Sequence, residues 1–224
     1  MYTKISLLLL ILVLAACSEL RLDQDYVPPP AASSEKYLLD THYREVKDEF
    51  GPEGNDIVVT EFFAYGCPHC QTFQTYMDRW GKTVPSDVTI KQSPVVWNEV
   101  MVLQAKLFFI ASSMEEFAEI HEKLFIETAA IGGEKDLDGQ KKHYAKLFAE
   151  YGMEEDQFMV QLSASKVKLQ VEDAVQLMKS SGLSGTPAIV VNGKYLIVTS
   201  SVGSQGEILD IADFLIDKER KEGR

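Results

Sequence analysis

Basic residues are scarce in this chain. Its 224 residues carry 22 Lys and Arg against 34 Asp and Glu, a formal net charge of −12. A surface that acidic repels phosphate backbones within a Debye length, which argues against nucleic acid as a partner. Cysteine is scarcer still, with three residues, too few for a small disulfide-stapled scaffold. Internal repeats and glycine-rich phosphate loops are absent. With 14 Gly and 8 Pro beside 46% apolar residues, collagen-like repeats and wholesale disorder are excluded. The apolar run from Leu7 to Ala16 would rise only about 15 Å as a helix, roughly half the hydrocarbon thickness, and makes a poor permanent span. What remains is an acidic globular chain whose three cysteines, Cys17, Cys67 and Cys70, each need an explanation.

The first belongs to an address. Lys4, the apolar run and the small residues Ala15 and Ala16 form the pattern of a secretory signal peptide, residues 1–16; an uncleaved anchor or a buried core helix is the competing reading. Leu14-Ala15-Ala16-Cys17 resembles the lipobox of bacterial lipoproteins. That resemblance implies cleavage before Cys17, acylation of its thiol, and a periplasm-facing chain anchored in the inner or outer membrane. Several acyl chains on one residue anchor stably where a single chain binds marginally. Residues 17–36 contain Pro28-Pro29-Pro30 and Ser33-Ser34, a composition that favours extended polyproline II and reads as a tether of up to ~60 Å. The folded part is expected from Tyr37 onward, in an oxidising compartment.

Cys67 and Cys70 stand as Cys-Pro-His-Cys. Ahead of them, Ile57 to Tyr65 is a nearly continuous β-branched and aromatic run, the pattern of a strand buried on both faces. Behind them Phe73, Tyr76, Met77 and Trp80 recur at helical steps. Pro68 suits the first position of that helix, where its missing N–H costs nothing. Cys67 is then the N-cap, facing unpaired N–H groups and the positive end of the helix dipole, which favour its thiolate. His69 adds a donor, and Cys70 lies one turn inward, placed to resolve a mixed disulfide. Stabilising the thiolate stabilises the reduced pair and makes its disulfide a stronger oxidant. A structural disulfide closing so short a loop contributes little. A zinc site would need four ligands, and no second Cys-x-x-Cys pair exists. His42, His121 and His143 read as ordinary helix or surface residues. Glu61, alone in the apolar strand, must either lean out to solvent or hold a proton with a raised pKa.

The segment from Glu61 to Cys70 resembles the active-site segment of the DsbA family of periplasmic thiol:disulfide oxidoreductases. So does Gly185-Thr186-Pro187-Ala188-Ile189-Val190-Val191-Asn192-Gly193, which looks like the family's proline loop, strand and hairpin turn, about 117 residues downstream. The resemblance implies an α/β chain with a thioredoxin fold and an inserted all-helical domain: residues 37–97 and 166–220 for the thioredoxin part, 98–165 for the insert. Helix-period runs at Val100, Leu103, Leu107 and Phe108, then at Val167, Val171, Ala174 and Met178, and finally at Ile208, Ile211, Ala212 and Leu215 agree with it. Composition alone would make Pro187 trans; the resemblance implies a cis proline facing the cysteines. Thr186 could hydrogen-bond near the sulfurs, and Glu61 would aid proton transfer from the buried thiol. The implied activity introduces disulfides into exported proteins, needs no cofactor or metal, and is renewed by a quinone-linked membrane partner of the DsbB type. A reductase or isomerase using the same cysteines, or a non-catalytic holdase on the same fold, are the alternatives.

Overall fold

The computed structural model describes residues 36–51, 56–132 and 136–222. The signal peptide, Cys17 and nearly all of the tether lie outside the described residues. The interior strand β2, Ile57–Phe63, has all seven residues buried. It pairs in parallel with β3, Val88–Pro94, in a register that sets Glu61 beside Gln92. On its other side it runs antiparallel to β4, Ala188–Val191. Next come β5, Tyr195–Ile197, and β1, Tyr43–Glu45, each antiparallel to its neighbour, giving the order β1-β5-β4-β2-β3. The apolar run that predicted a strand through Tyr65 stops pairing at Phe63, because Ala64 accepts the turn bond from the Cys67 N–H (3.0 Å) that starts the next helix.

That helix is α1, Pro68–Gly81. Between β3 and β4 the described chain is helical: α2, Glu99–Ala111; α3, Phe117–Ile131; α4, Leu137–Ala149; α5, Glu155–Ser163; and α6, Ser165–Ser181. The C-terminal helix is α7, Gln205–Glu222. Among the described residues no helix is long and apolar enough to cross a membrane.

Strand periodicity distributes β2 among three cores. Ile57 and Val59 pack with Phe73, Ile211 and Leu215 beneath α1 and α7. Phe62 and Ala64 face Met178 and Val190 on the opposite side of the sheet. Phe63 and Tyr65, on the same face as Ile57, join Leu107, Ile120, Phe125, Tyr144 and Phe148 in a helical core that includes Cys70. Glu61 falls on that face, at the seam between the first core and the last. Trp80 Nε1 donates to Asp213 Oδ1 (2.9 Å) and ties α1 to α7.

Asn192 and Gly193 take left-handed backbone (φ 55° and 64°), as a two-residue hairpin turn requires. The turn lies at the far end of β4 from Pro187 and gathers the segment after β1 and the last turns of α7. Its Gly193 carbonyl accepts from Phe50 N–H (3.3 Å), and Lys194 carbonyl accepts from Val46 N–H (2.7 Å). Asn192 Nδ2 and Lys194 Nζ both reach the buried Glu219 of α7 (2.6 and 3.1 Å). A Cβ on Gly193 would come within 2.6 Å of the Phe50–Gly51 backbone.

Candidate active site

Cys67 is the N-cap of α1, in extended backbone (φ −101°, ψ 110°), with Pro68 in the first turn. The Cys70 N–H donates to Cys67 Sγ (3.4 Å). Both thiols are free; Cys67 is half-buried and Cys70 fully buried. The Cys67 thiol is pulled down to about 5, first by hydrogen bonding from the Cys70 thiol and further by Thr186 and the N–H groups of Cys70 and His69, against burial. Cys70 moves the other way: the hydrogen bond to its neighbour's sulfur and its burial hold it as a thiol. One sulfur is therefore an anion near neutral pH and the other a stored proton, which is the division of labour that thiol–disulfide exchange needs.

The loop before β4 completes the site. Thr186–Pro187 is a cis peptide bond, Pro187 is buried, and the Thr186 carbonyl oxygen lies 3.4 Å from Cys67 Sγ. Thr186 also favours the anionic form of both sulfurs. His69 is exposed; what it directs at Cys67 is its backbone N–H, while its carbonyl accepts from Gln205 Nε2 (2.7 Å). Cys67 opens onto a cavity of about 670 Å³ bordered by Trp97, Met101 and Leu137. A second recess of about 330 Å³, between His69, Pro187 and Ile208, lies on its other side.

Glu61 does not lean out to solvent. It is completely buried and accepts from Gln74 Nε2 and Gln92 Nε2, both at 2.9 Å. Burial, partly offset by these two amides, lifts its carboxyl to about 7. Neither glutamine is conspicuous in the sequence, although Gln74 lies four residues after Cys70 and so shares its helix face.

His121 corrects the reading of that residue as an ordinary helix or surface histidine. It is buried on α3, its Nδ1 2.7 Å from the Tyr65 hydroxyl, and burial pushes it down to about 4. Its Nε2 finds no partner among the described residues. The physical reason is helical spacing: Phe117, His121, Leu124 and Phe125 share one face of α3, which points into the helical core. His42, by contrast, accepts from Leu38 N–H at an exposed turn (3.0 Å), and His143 pairs with Glu127 (2.7 Å). Among the described residues no group of three or more His, Cys, Asp or Glu could hold a metal ion.

Comparison with known proteins gives this geometry relatives. Residues 98–206 match the family model described as a DSBA-like thioredoxin domain. The thiol:disulfide interchange protein DsbA of Azotobacter vinelandii is 32% identical over 164 residues, 73% of this chain and 75% of the relative. The protein of the same name from Pseudomonas aeruginosa is 30% identical over 191 residues, 85% and 89% of the two chains. The crystal structure of Pseudomonas aeruginosa DsbA superposes with a TM-score of 0.71 at 29% identity, covering 83% of this chain and 96% of that one. A thioredoxin fold, two thiols of opposed acidity at a helix start, and relatives at this identity over most of their length lead to one conclusion: the chain belongs to the DsbA family and is a thiol:disulfide oxidoreductase.

Proposed function

We propose that this chain is an oxidant that introduces disulfide bonds into exported proteins, with Cys67 and Cys70 as its redox pair. The observation that carries the direction is the opposed acidity of the two thiols, Cys67 at about 5 and Cys70 held protonated. A thiolate stabilised in the reduced enzyme makes its disulfide form the stronger oxidant. In the forward reaction a client thiolate attacks Cys67 Sγ of the Cys67–Cys70 disulfide. The S–S bond breaks, and Cys70 leaves as a thiolate that takes a proton from Glu61. The client's second thiolate then attacks the client sulfur of the mixed disulfide and expels Cys67, whose stability as an anion makes it a good leaving group. Two electrons pass from the client to the enzyme, and no cofactor takes part.

Pro68 fixes the helix start, His69 supplies an N–H to the anion, and Thr186 and Pro187 form the edge against which an extended client segment would lie. The cavity beside Trp97 suits an apolar client side chain next to the reacting sulfur. Reoxidation falls to a quinone-linked membrane partner of the DsbB type. The division into residues 37–97, 98–165 and 166–220, and periplasm-facing anchoring through an acylated Cys17, complete the reading. Incorporation of a palmitate analogue into the full chain, lost on Cys17→Ala, tests the anchor. Equilibration with glutathione mixtures tests the direction: an oxidising poise supports it, and a reducing, thioredoxin-like one overturns it. Cys67→Ser should abolish oxidation of client thiols; activity that survives it refutes the assignment of Cys67.

A further inference from the structure

Glu61 is held by a closed triangle of side chains. Gln74 Nε2 donates to Glu61 Oε1 (2.9 Å), Gln92 Nε2 donates to Glu61 Oε2 (2.9 Å), and the same Gln92 nitrogen donates to Gln74 Oε1 (3.0 Å). The strand register sets Gln92 alongside the acid, and α1 brings Gln74 over it. No cation is bonded to Glu61 among the described residues. The charged groups nearby are Asp78 on α1, which opposes ionisation, and Glu119, Glu122 and His121 of α3 across a groove; the paired position on β4 is the neutral Ile189.

A triangle of this kind obeys a parity rule. Each of its three sides needs one donor and one acceptor. Gln74 offers one of each, while Gln92 meets both neighbours through a single atom and is therefore donor to both or acceptor to both. When Glu61 is ionised, both of its oxygens accept and all three sides match. Suppose instead that Oε1 carries a proton directed at Gln74. Gln74 must turn its oxygen to it, which points its nitrogen at Gln92. Gln92 must then present its oxygen, and that oxygen meets the bare acceptor Oε2. A proton on Oε2 fails in the same way at Oε1. An acid whose O–H points along either side of the triangle leaves one side with two donors or two acceptors; an O–H turned out of the triangle leaves the sides matched but gives the proton to no member of it.

We propose that Gln74 and Gln92 are positioning residues that set the proton affinity of Glu61, through a hydrogen-bond triangle that closes around the carboxylate and either opens or leaves the proton outside it when the acid takes one up. The inference rests on the reading of Glu61 as the group that exchanges a proton with Cys70. Opening has room to occur: both glutamines line a groove of about 1050 Å³ between α1 and α3, into which a released amide can turn and meet water.

The test titrates the Glu61 side-chain carboxyl by carbon NMR in protein labelled at glutamate, with Glu61→Gln identifying the resonance, and records the pH–rate profile of thiol exchange alongside. Gln92→Leu and Gln74→Leu each remove one donor and should move the Glu61 midpoint upward by about one pH unit. Gln92→Lys, which can only donate, should move it downward, and the rate profile should follow in the same direction. A packing role alone would not give displacements of opposite sign from two substitutions at one position. Midpoints unchanged in Gln92→Leu and Gln92→Lys overturn the triangle. A rate profile unchanged by Glu61→Gln overturns instead the reading of Glu61 as proton donor, while the NMR midpoints still decide whether the glutamines govern the acid.

Discussion

Acidification should weaken the dithiol form selectively. Cys67 ionises at about 5 in the fold and near 8.5 in an unfolded chain. Its folded value lies below its unfolded one, so the stabilisation is complete above about pH 8.5 and is lost as pH falls through 5. Between those limits the unscreened slope is about 1.4 kcal/mol per pH unit. Cys67 is only half-buried, so solvent screening discounts the shift, which narrows the pH window and leaves the slope inside it unchanged. The disulfide form has no ionisable thiol and lacks the slope. Its short loop stabilises it by about 2 kcal/mol at every pH, so the slope rather than the offset carries the test. Cys70 stays a thiol in the fold but ionises in the unfolded chain, so the gain turns over above about pH 8.5. Urea denaturation of the reduced and oxidised protein at about pH 5.5, 6.5 and 7.5 measures the difference. The stability of the reduced form relative to the oxidised one should grow by about 1–2.5 kcal/mol across that range. Cys67→Ser, which forms no disulfide, should follow the pH dependence of the oxidised unsubstituted protein. A difference that stays flat with pH in the unsubstituted protein refutes the placement of an anion at the helix start.

Three substitutions probe the surroundings. Thr186→Val removes the hydroxyl of a residue that favours the anionic form of both sulfurs and should raise the Cys67 midpoint by about half a pH unit, read from thiolate absorbance. His121→Leu leaves the buried Tyr65 hydroxyl without its imidazole partner and should cost about 1–3 kcal/mol in denaturant titration. Gly193→Ala combines a left-handed backbone with a methyl driven into the Phe50–Gly51 backbone. It should lower stability by about 2 kcal/mol or more while leaving the Cys67 midpoint where it was.

Much of this arrangement can be read in the sequence wherever chemistry is local. The helix start at Cys67 follows from Pro68 and the apolar spacing behind it, the end of α6 from Gly182 (φ 60°), and the hairpin from Asn192-Gly193. Strand β1 is three residues long and too short to carry a period. Strand β3 extends to Pro94, beyond the expected Val88-Thr89-Ile90, because its exposed Lys91 and half-buried Gln92 break the apolar pattern while its backbone still pairs with β2. The burial of His121 is written in the spacing of α3, whereas its contact with Tyr65 depends on how α3 meets the sheet. The triangle around Glu61 depends on strand register and helix docking together, and neither is a property of any short segment. The chemistry on the helix is legible, and the chemistry between elements is not.

The turn at Asn192-Gly193 has a mechanical consequence. It grips the segment after β1 and the last turns of α7 at the opposite end of β4 from Pro187. A load entering along α7 is therefore carried first by its bonds to Asn192 and Lys194, and one entering ahead of β1 by the pairing of β1 with β5. The redox loop lies at the other end of β4, away from these bonds.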